Sequence, residues 1–190
     1  MSETVPDLVS SDITAYFSGN GGALFDRGLN KGGDIGGNEI VSSLLYNFAP
    51  DVDRATIGKV GIPPSPPWTM YYPFYIINRH PETTVTDVKI WIYRAMSDPG
   101  LAIGIGLAPQ GLNGICQTLP NQFTAPTGVT FVSPFTETSS TVLKIPILAA
   151  GDKHAIWIKQ FGNRGMASIA QASYGIKWVF QRPASNIPGV

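Results

Sequence analysis

The chain has 190 residues, 43% of them hydrophobic and only 14% charged, with 13 Lys and Arg balanced by 13 Asp and Glu. That length supports one substantial core, or one core with an appended arm, and is too short for two large domains. A formal net charge of zero removes the basic field that nucleic-acid binding needs, and no apolar run approaches the ~20 residues of a membrane-spanning helix.

The charged share is below the ~25% typical of soluble domains. Much of the surface is therefore expected to be covered by neutral polar side chains, glycine and proline, or by neighbouring protein chains. A single cysteine, Cys116, excludes an internal disulfide framework. Residues 1 to 9, with Glu3 and Asp7, lack the basic then apolar pattern of a signal peptide, so synthesis and assembly are expected in a reducing cytosol.

In chain order, residues 1 to 11 hold little to bury, and Asp12-Ile13-Thr14-Ala15-Tyr16-Phe17 reads as a short strand. Its unpaired backbone groups would let it add to a sheet across a subunit boundary. From Gly19 to Gly37 eight glycines separate mainly polar residues, a composition with a high ordering entropy that needs neighbouring surfaces to pin it. Glu39 to Phe48 carries Ile40, Val41, Leu44, Leu45 and Phe48 at spacings that allow a helical turn or two, or a short strand. Ile62-Pro63-Pro64-Ser65-Pro66-Pro67-Trp68 then interrupts regular structure and reads as a polyproline-like connector. The expected organisation is an arm and linker over residues 1–64 and a body over 65–190.

The body opens with a strand from Tyr71 to Asn78, in which Pro73 predicts an edge position or an early bulge. After the turn His80-Pro81-Glu82-Thr83 comes the most informative stretch, Thr86-Asp87-Val88-Lys89-Ile90-Trp91-Ile92-Tyr93-Arg94. Val88, Ile90 and Ile92 alternate with Lys89, Trp91 and Tyr93, which is the period of a strand with two unlike faces. Leu101 to Leu107 alternates large aliphatic residues with small ones, leaving one nearly bare face for close approach by another segment.

A long irregular crossing is expected from Ala108 to Gly128, then strands at Val129 to Val132 and Thr141 to Leu148. Gly151-Asp152 turns into the His154 to Gln160 strand, and Tyr174 to Gln181 forms the last, with Tyr174, Ile176, Trp178 and Phe180 on one face. Short strands with turn signals every 8 to 12 residues or so predict an all-β, antiparallel sandwich of Ig-like or jelly-roll type. The ribbons near Trp91, Trp157 and Trp178 are expected to close over one shared interior.

Chemical signatures are sparse. His80 precedes a proline and His154 opens a strand, without the third or fourth convergent ligand that a metal site needs. Cys116 would become a nucleophile only with a histidine folded against it. Asp51-Val52-Asp53 begins like a calcium loop, but Thr56 stands where the tight turn needs Gly and Ile62 where a bidentate Glu belongs. Gly104-Ile105-Gly106 lacks the third glycine and the helix of a dinucleotide fingerprint. The expectation is no catalytic residue, no metal and no cofactor. Trp68, Tyr71 and Tyr72, beside the proline run, carry two readings. They are core and edge packing, or they are a platform that stacks on sugar rings or grips a partner.

Asn78-Arg79-His80, Val85-Thr86-Asp87-Val88-Lys89-Ile90-Trp91-Ile92-Tyr93, Ala125-Pro126-Thr127-Gly128-Val129-Thr130-Phe131, and Ile145 to Lys159 together resemble virion structural proteins of tailed bacteriophages with an Ig-like body. Asp12 to Gly19 and Gly32-Gly33-Asp34-Ile35 are similar to that group's leading segment, while the insert at Pro63 to Pro67 departs from it. The resemblance implies a non-enzymatic capsid-surface or decoration subunit, assembled in the host bacterial cytoplasm into the virion. It would oligomerise and dock on the major capsid protein or on tail or neck proteins through its arm. Ile13, Tyr16, Phe17, Trp68, Tyr71 and Tyr72 are the candidate subunit contacts. The alternatives are a neck, tail or baseplate component, or a carbohydrate- or receptor-binding module.

Overall fold

The computed structural model describes residues 12–18, 32–40, 67–94, 101–162 and 175–181. Among these residues eight strands run in the order β1 (Ile13–Ser18), β2 (Ile35–Ile40), β3 (Trp68–Asn78), β4 (Val85–Arg94), β5 (Leu101–Leu112), β6 (Leu143–Leu148), β7 (Lys153–Gly162) and β8 (Gly175–Gln181). They form two antiparallel sheets, one ordered β2-β1-β3-β7-β5 and the other β6-β4-β8. From β3 to β8 every connection passes from one sheet to the other, so the body is interlaced. Among the described strands only β1 and β2 are neighbours both in sequence and within a sheet.

The alternation of β4 dictates the core. Val88, Ile90 and Ile92 are fully buried against Phe74 and Ile76 of β3, Ile103 and Ile105 of β5, and Ile156 and Ile158 of β7. Each such aliphatic side chain removed from water contributes roughly 1.5–3 kcal/mol gross. Val85 is fully buried in the same core although it lies three residues from Val88, an offset that a regular strand would send to opposite faces. The irregularity between them reconciles the two. Asp87 takes a positive φ of 49°, and the register against β8 slips between Thr86 and Lys89. Aspartate is among the few residues that tolerate this left-handed backbone.

The five-stranded sheet is covered on its other face as well. Tyr71, Tyr75, Ala155 and Trp157 point away from the three-stranded sheet and pack beneath Cys116, Leu119, Val129 and Phe131 of the crossing that follows β5. The bare face predicted for β5 serves this closure. A Cβ on Gly106 would lie 2.5 Å from the Thr130 carbonyl oxygen, so only glycine admits the returning chain there. Val129 to Val132 does not form a strand of its own; Val132 makes an isolated antiparallel bridge to Ile105, with N–H to O distances of 2.8 and 2.9 Å.

Two further expectations require correction. The tryptophans do not share one interior: Trp178 packs on the inter-sheet core and Trp157 lies in the second cluster on the far face of the large sheet. Trp91 alternates with the inward-facing Ile90 and Ile92 and so belongs to the outer face of the three-stranded sheet. Pro73 sits in the central strand of the five, where its missing N–H is harmless. Pairing of β1 with β3 stops at Phe74, and the Tyr71 N–H, two residues earlier and on the same side, is taken by the Gln122 carbonyl at 2.8 Å. The boundary expected at residue 64 lies outside the described residues, and β1 and β2, which precede it, are strands of the large sheet. The helix-or-strand reading of Val41 to Phe48 lies outside the described residues.

Candidate functional site

The candidate contacts sort by strand parity. Ile13 and Ala15 of β1 point into the inter-sheet core and are buried. Ile13 therefore lies in the core and not on the surface of the sandwich. Tyr16, on the opposite face, is half-buried, accepts a hydrogen bond from the Arg79 guanidinium and has that cation 5.3 Å from its ring centre. The Phe17 backbone pairs with Phe74, and Trp68 opens β3 opposite Gly162; their side chains lie outside what is described.

Tyr71 and Tyr72 are adjacent in β3 and so face opposite ways, both buried. The Tyr71 ring packs 5.6 Å from that of Phe131, and the Tyr72 hydroxyl lies 3.4 Å from the Met70 Sδ. They form no stacking platform. The six residues are thus not gathered on one surface.

β1 is instead held as an internal strand. It pairs with β2 on one side and with β3 from Asn78 to Phe74 on the other, and the Arg79 N–H donates to the Asp12 carbonyl. Just before β2 the chain is fastened to the crossing by a compact set of contacts that the sequence did not reveal. The Gly33 N–H donates to the Cys116 carbonyl at 3.1 Å. The Tyr75 hydroxyl donates to the Gly33 carbonyl at 2.7 Å and accepts from the Cys116 N–H at 2.9 Å.

The Cys116 thiol points at the same Gly33 carbonyl, 3.2 Å away. Asp34 completes the clasp through an ion pair with Lys153, whose ammonium lies 5.4 Å from the Tyr75 ring centre. Gly32 adopts φ +115°, and a Cβ there would fall 1.8 Å from the Gln117 carbonyl oxygen. This glycine is a requirement of the approach.

The electrostatics of the clasp keep Tyr75 and Cys116 neutral and Asp34 charged. Burial pushes the Tyr75 phenol far above its ordinary value and raises the Cys116 thiol as well. Tyr75 therefore stays a hydroxyl and Cys116 a thiol near neutral pH, which is the wrong state for a nucleophile. The hydrogen bond from Lys153, then that from the Ile35 N–H, holds the Asp34 carboxyl below the usual carboxylate range.

The histidines are also tied to backbone. The His80 Nδ1 accepts from the Glu82 and Thr83 N–H groups at 3.2 and 2.8 Å, which fixes the turn after β3. The His154 Nδ1 lies 3.0 Å from the Ala155 carbonyl, and burial lowers the pKa of this ring. Among the described residues no three His, Cys, Asp or Glu side chains come together as metal ligands.

Beside the His80 turn, Asn78 joins the two sheets. Its Nδ2 donates to the Thr83 and Leu148 carbonyls at 2.8 and 2.9 Å, and its Oδ1 accepts from the His80 N–H at 3.0 Å. All three side-chain bonds are made by a residue with no exposed surface.

Among the described residues the exposed large apolar side chains are Tyr93, Leu112, Ile115, Phe135 and Ile147. Tyr93 and Lys177 lie on the outer face of the three-stranded sheet, with Trp91 opposite Lys177 in the register. No family model matches the chain, and neither the curated proteins nor the solved structures contain a match to it.

Proposed function

We propose that the chain is a non-enzymatic structural subunit of a tailed-bacteriophage virion, a capsid-surface or decoration protein that oligomerises and docks on other virion proteins. The observation that carries this reading is the use made of its reactive side chains. Cys116, Tyr75, His80 and His154, the groups from which chemistry would be built, each bind backbone of the chain's own fold. The low charge and zero net charge fit a subunit whose surface neighbours complete. The resemblance of Val85 to Tyr93 and Ile145 to Lys159 to virion structural proteins points the same way.

The test is immunogold labelling and quantitative mass spectrometry of purified particles, with heads and tails separated. A fixed number of copies per head is expected; a fixed number on the tail, neck or baseplate would move the assignment there, and absence from purified particles would overturn it. The sugar-binding alternative rests on Trp68 alone of its three aromatic residues, because Tyr71 and Tyr72 are buried on opposite faces of β3.

A further inference from the structure

We infer that the β1–β2 hairpin is exchanged between copies of this chain, so that the slot beside β3 is filled by β1 of a neighbouring copy. This rests on the assembly reading above and names the partner and the surface it would use. The first ground is topological. β3 to β8 alternate between the two sheets and cannot part without undoing the sandwich, whereas β1 and β2 form the one pair that is consecutive in sequence and adjacent in a sheet. That hairpin is the piece able to leave whole.

The second ground is the shape of what it would leave. Removal of β1 uncovers the backbone of β3 from Phe74 to Asn78 and opens the core where Ile13 and Ala15 sit. The vacancy is an unpaired edge with an apolar floor, an unstable surface in water. Its register, its two small and large inward positions and the Asp12–Arg79 contact all match this chain's own leading strand, so the occupant it fits is a second copy. The clasp moves with the hairpin and re-forms in the host, because Gly33 and Asp34 belong to the donor and Tyr75, Cys116 and Lys153 to the acceptor.

The third ground is reach. Ile40 pairs with Ala15, which pairs with Ile76, eight residues along β3 from Trp68. Within one chain the connection therefore needs to cover roughly 28 Å, taking ~3.3 Å per residue and two strand spacings of ~4.8 Å. Residues 41 to 67 supply on the order of 90 Å of extended chain. A contour of that length does not confine the hairpin to its own body. Exchange of an identical element is also a low-cost route to an oligomer, since every contact is remade.

The experiment uses full-length protein carrying Cys116→Ser, which keeps a donor toward Gly33 and leaves no other thiol. Thr14 and Ile77 face each other in the β1–β3 register. Thr14→Cys is placed on one chain and Ile77→Cys on a second; the two are mixed, held at a concentration where light scattering shows oligomers, and oxidised. A disulfide-linked pair of unlike chains on a non-reducing denaturing gel is the expected result, because the two positions can meet only by exchange.

Unlinked chains, or a wild-type protein that remains monomeric, would overturn the inference. The chain carrying both cysteines is the companion variant. Covalent oligomers support exchange and a purely internal closure refutes it, while failure of that variant to fold leaves the split pair to decide alone. Tyr75→Phe removes two clasp hydrogen bonds and is expected to speed mixing of heavy- and light-labelled chains by on the order of tenfold; an unchanged rate removes the clasp from the argument. These readouts need no particle, so exchange without incorporation into virions would refute the virion assignment and leave the hairpin inference standing.

Discussion

Asn78→Ala is the sharpest perturbation of the fold. It removes one acceptor and two donors, leaving the His80 N–H and the Thr83 and Leu148 carbonyls without their side-chain partner at a site with no exposed surface. A buried polar group deprived of its partner costs about 1–3 kcal/mol, so the three together should cost roughly 3–6 kcal/mol after allowing for non-additivity. Against a total stability of about 5–15 kcal/mol this is a large fraction. It corresponds to a fall in Tm of very roughly 6–24 °C at ~2–4 °C per kcal/mol for a chain of this size. Urea denaturation followed by tryptophan fluorescence measures it, and the midpoint should fall while the slope is preserved. Asn78→Asp should do worse than alanine near neutral pH, since it aims a buried carboxylate at two carbonyl oxygens. A loss below about 1 kcal/mol for the alanine variant would show that the two sheets are not held together at this point.

Three further outcomes are expected. Gly106→Val should cost about 1–3 kcal/mol through overpacking, because the neighbour in its way is the Thr130 backbone rather than a yielding side chain; a variant as stable as the parent by thermal melting would refute the close approach. His154 has its folded-state pKa lowered by burial, so below the ordinary value of about 6.5 the unfolded chain binds a proton that the folded chain resists. Its contribution is therefore present above about pH 6.5 and declines as pH falls toward the folded value, and His154→Gln should flatten that part of a stability-versus-pH profile. Cys116, buried and with its thiol pKa raised, should react with a neutral-pH thiol reagent only at the rate of opening of the fold, and rapidly in denaturant.

What the sequence revealed and what it hid follow from the range of the interactions. The two faces of β4 could be read from Val88 to Tyr93 because strand alternation is a local property. The bare face of β5 was legible for the same reason, since Gly104 and Gly106 recur at period two. The clasp was not legible, as Gly33 meets Tyr75 and Cys116 across separations of 42 and 83 residues. β2 was concealed by Gly36 and Gly37, which carry neither β-propensity nor an apolar pattern, so its strand state comes from pairing with β1. Of the two readings of Tyr71 and Tyr72, the structure takes the packing one, and proximity to a proline run is what suggested the other. The second covered face of the large sheet, which buries Tyr71, depends on the long crossing and could not be inferred from either segment alone.

That second covered face also narrows how copies of the chain can meet. Growth of a sheet by simple edge pairing needs a free edge, and the described residues manage several of theirs. β5 is closed along Ile103 and Ile105 by the Ser133 hydroxyl and the Val132 bridge, and β6 carries Pro146, which withholds a donor. β2 is a short edge containing two adjacent glycines, a weak template because it offers no side chains there for cross-strand packing. Edge pairing at β2 would add one ladder to such a strand, whereas exchange of β1 re-forms two ladders and the Ile13 and Ala15 contacts at once. On energetic grounds an assembly built through the leading segment is therefore expected to use the whole hairpin rather than its outer edge. Glu39→Pro separates the two mechanisms. It spoils an added ladder on β2, leaves the β1–β3 pairing that Thr14→Cys and Ile77→Cys report, and should leave that cross-link in place.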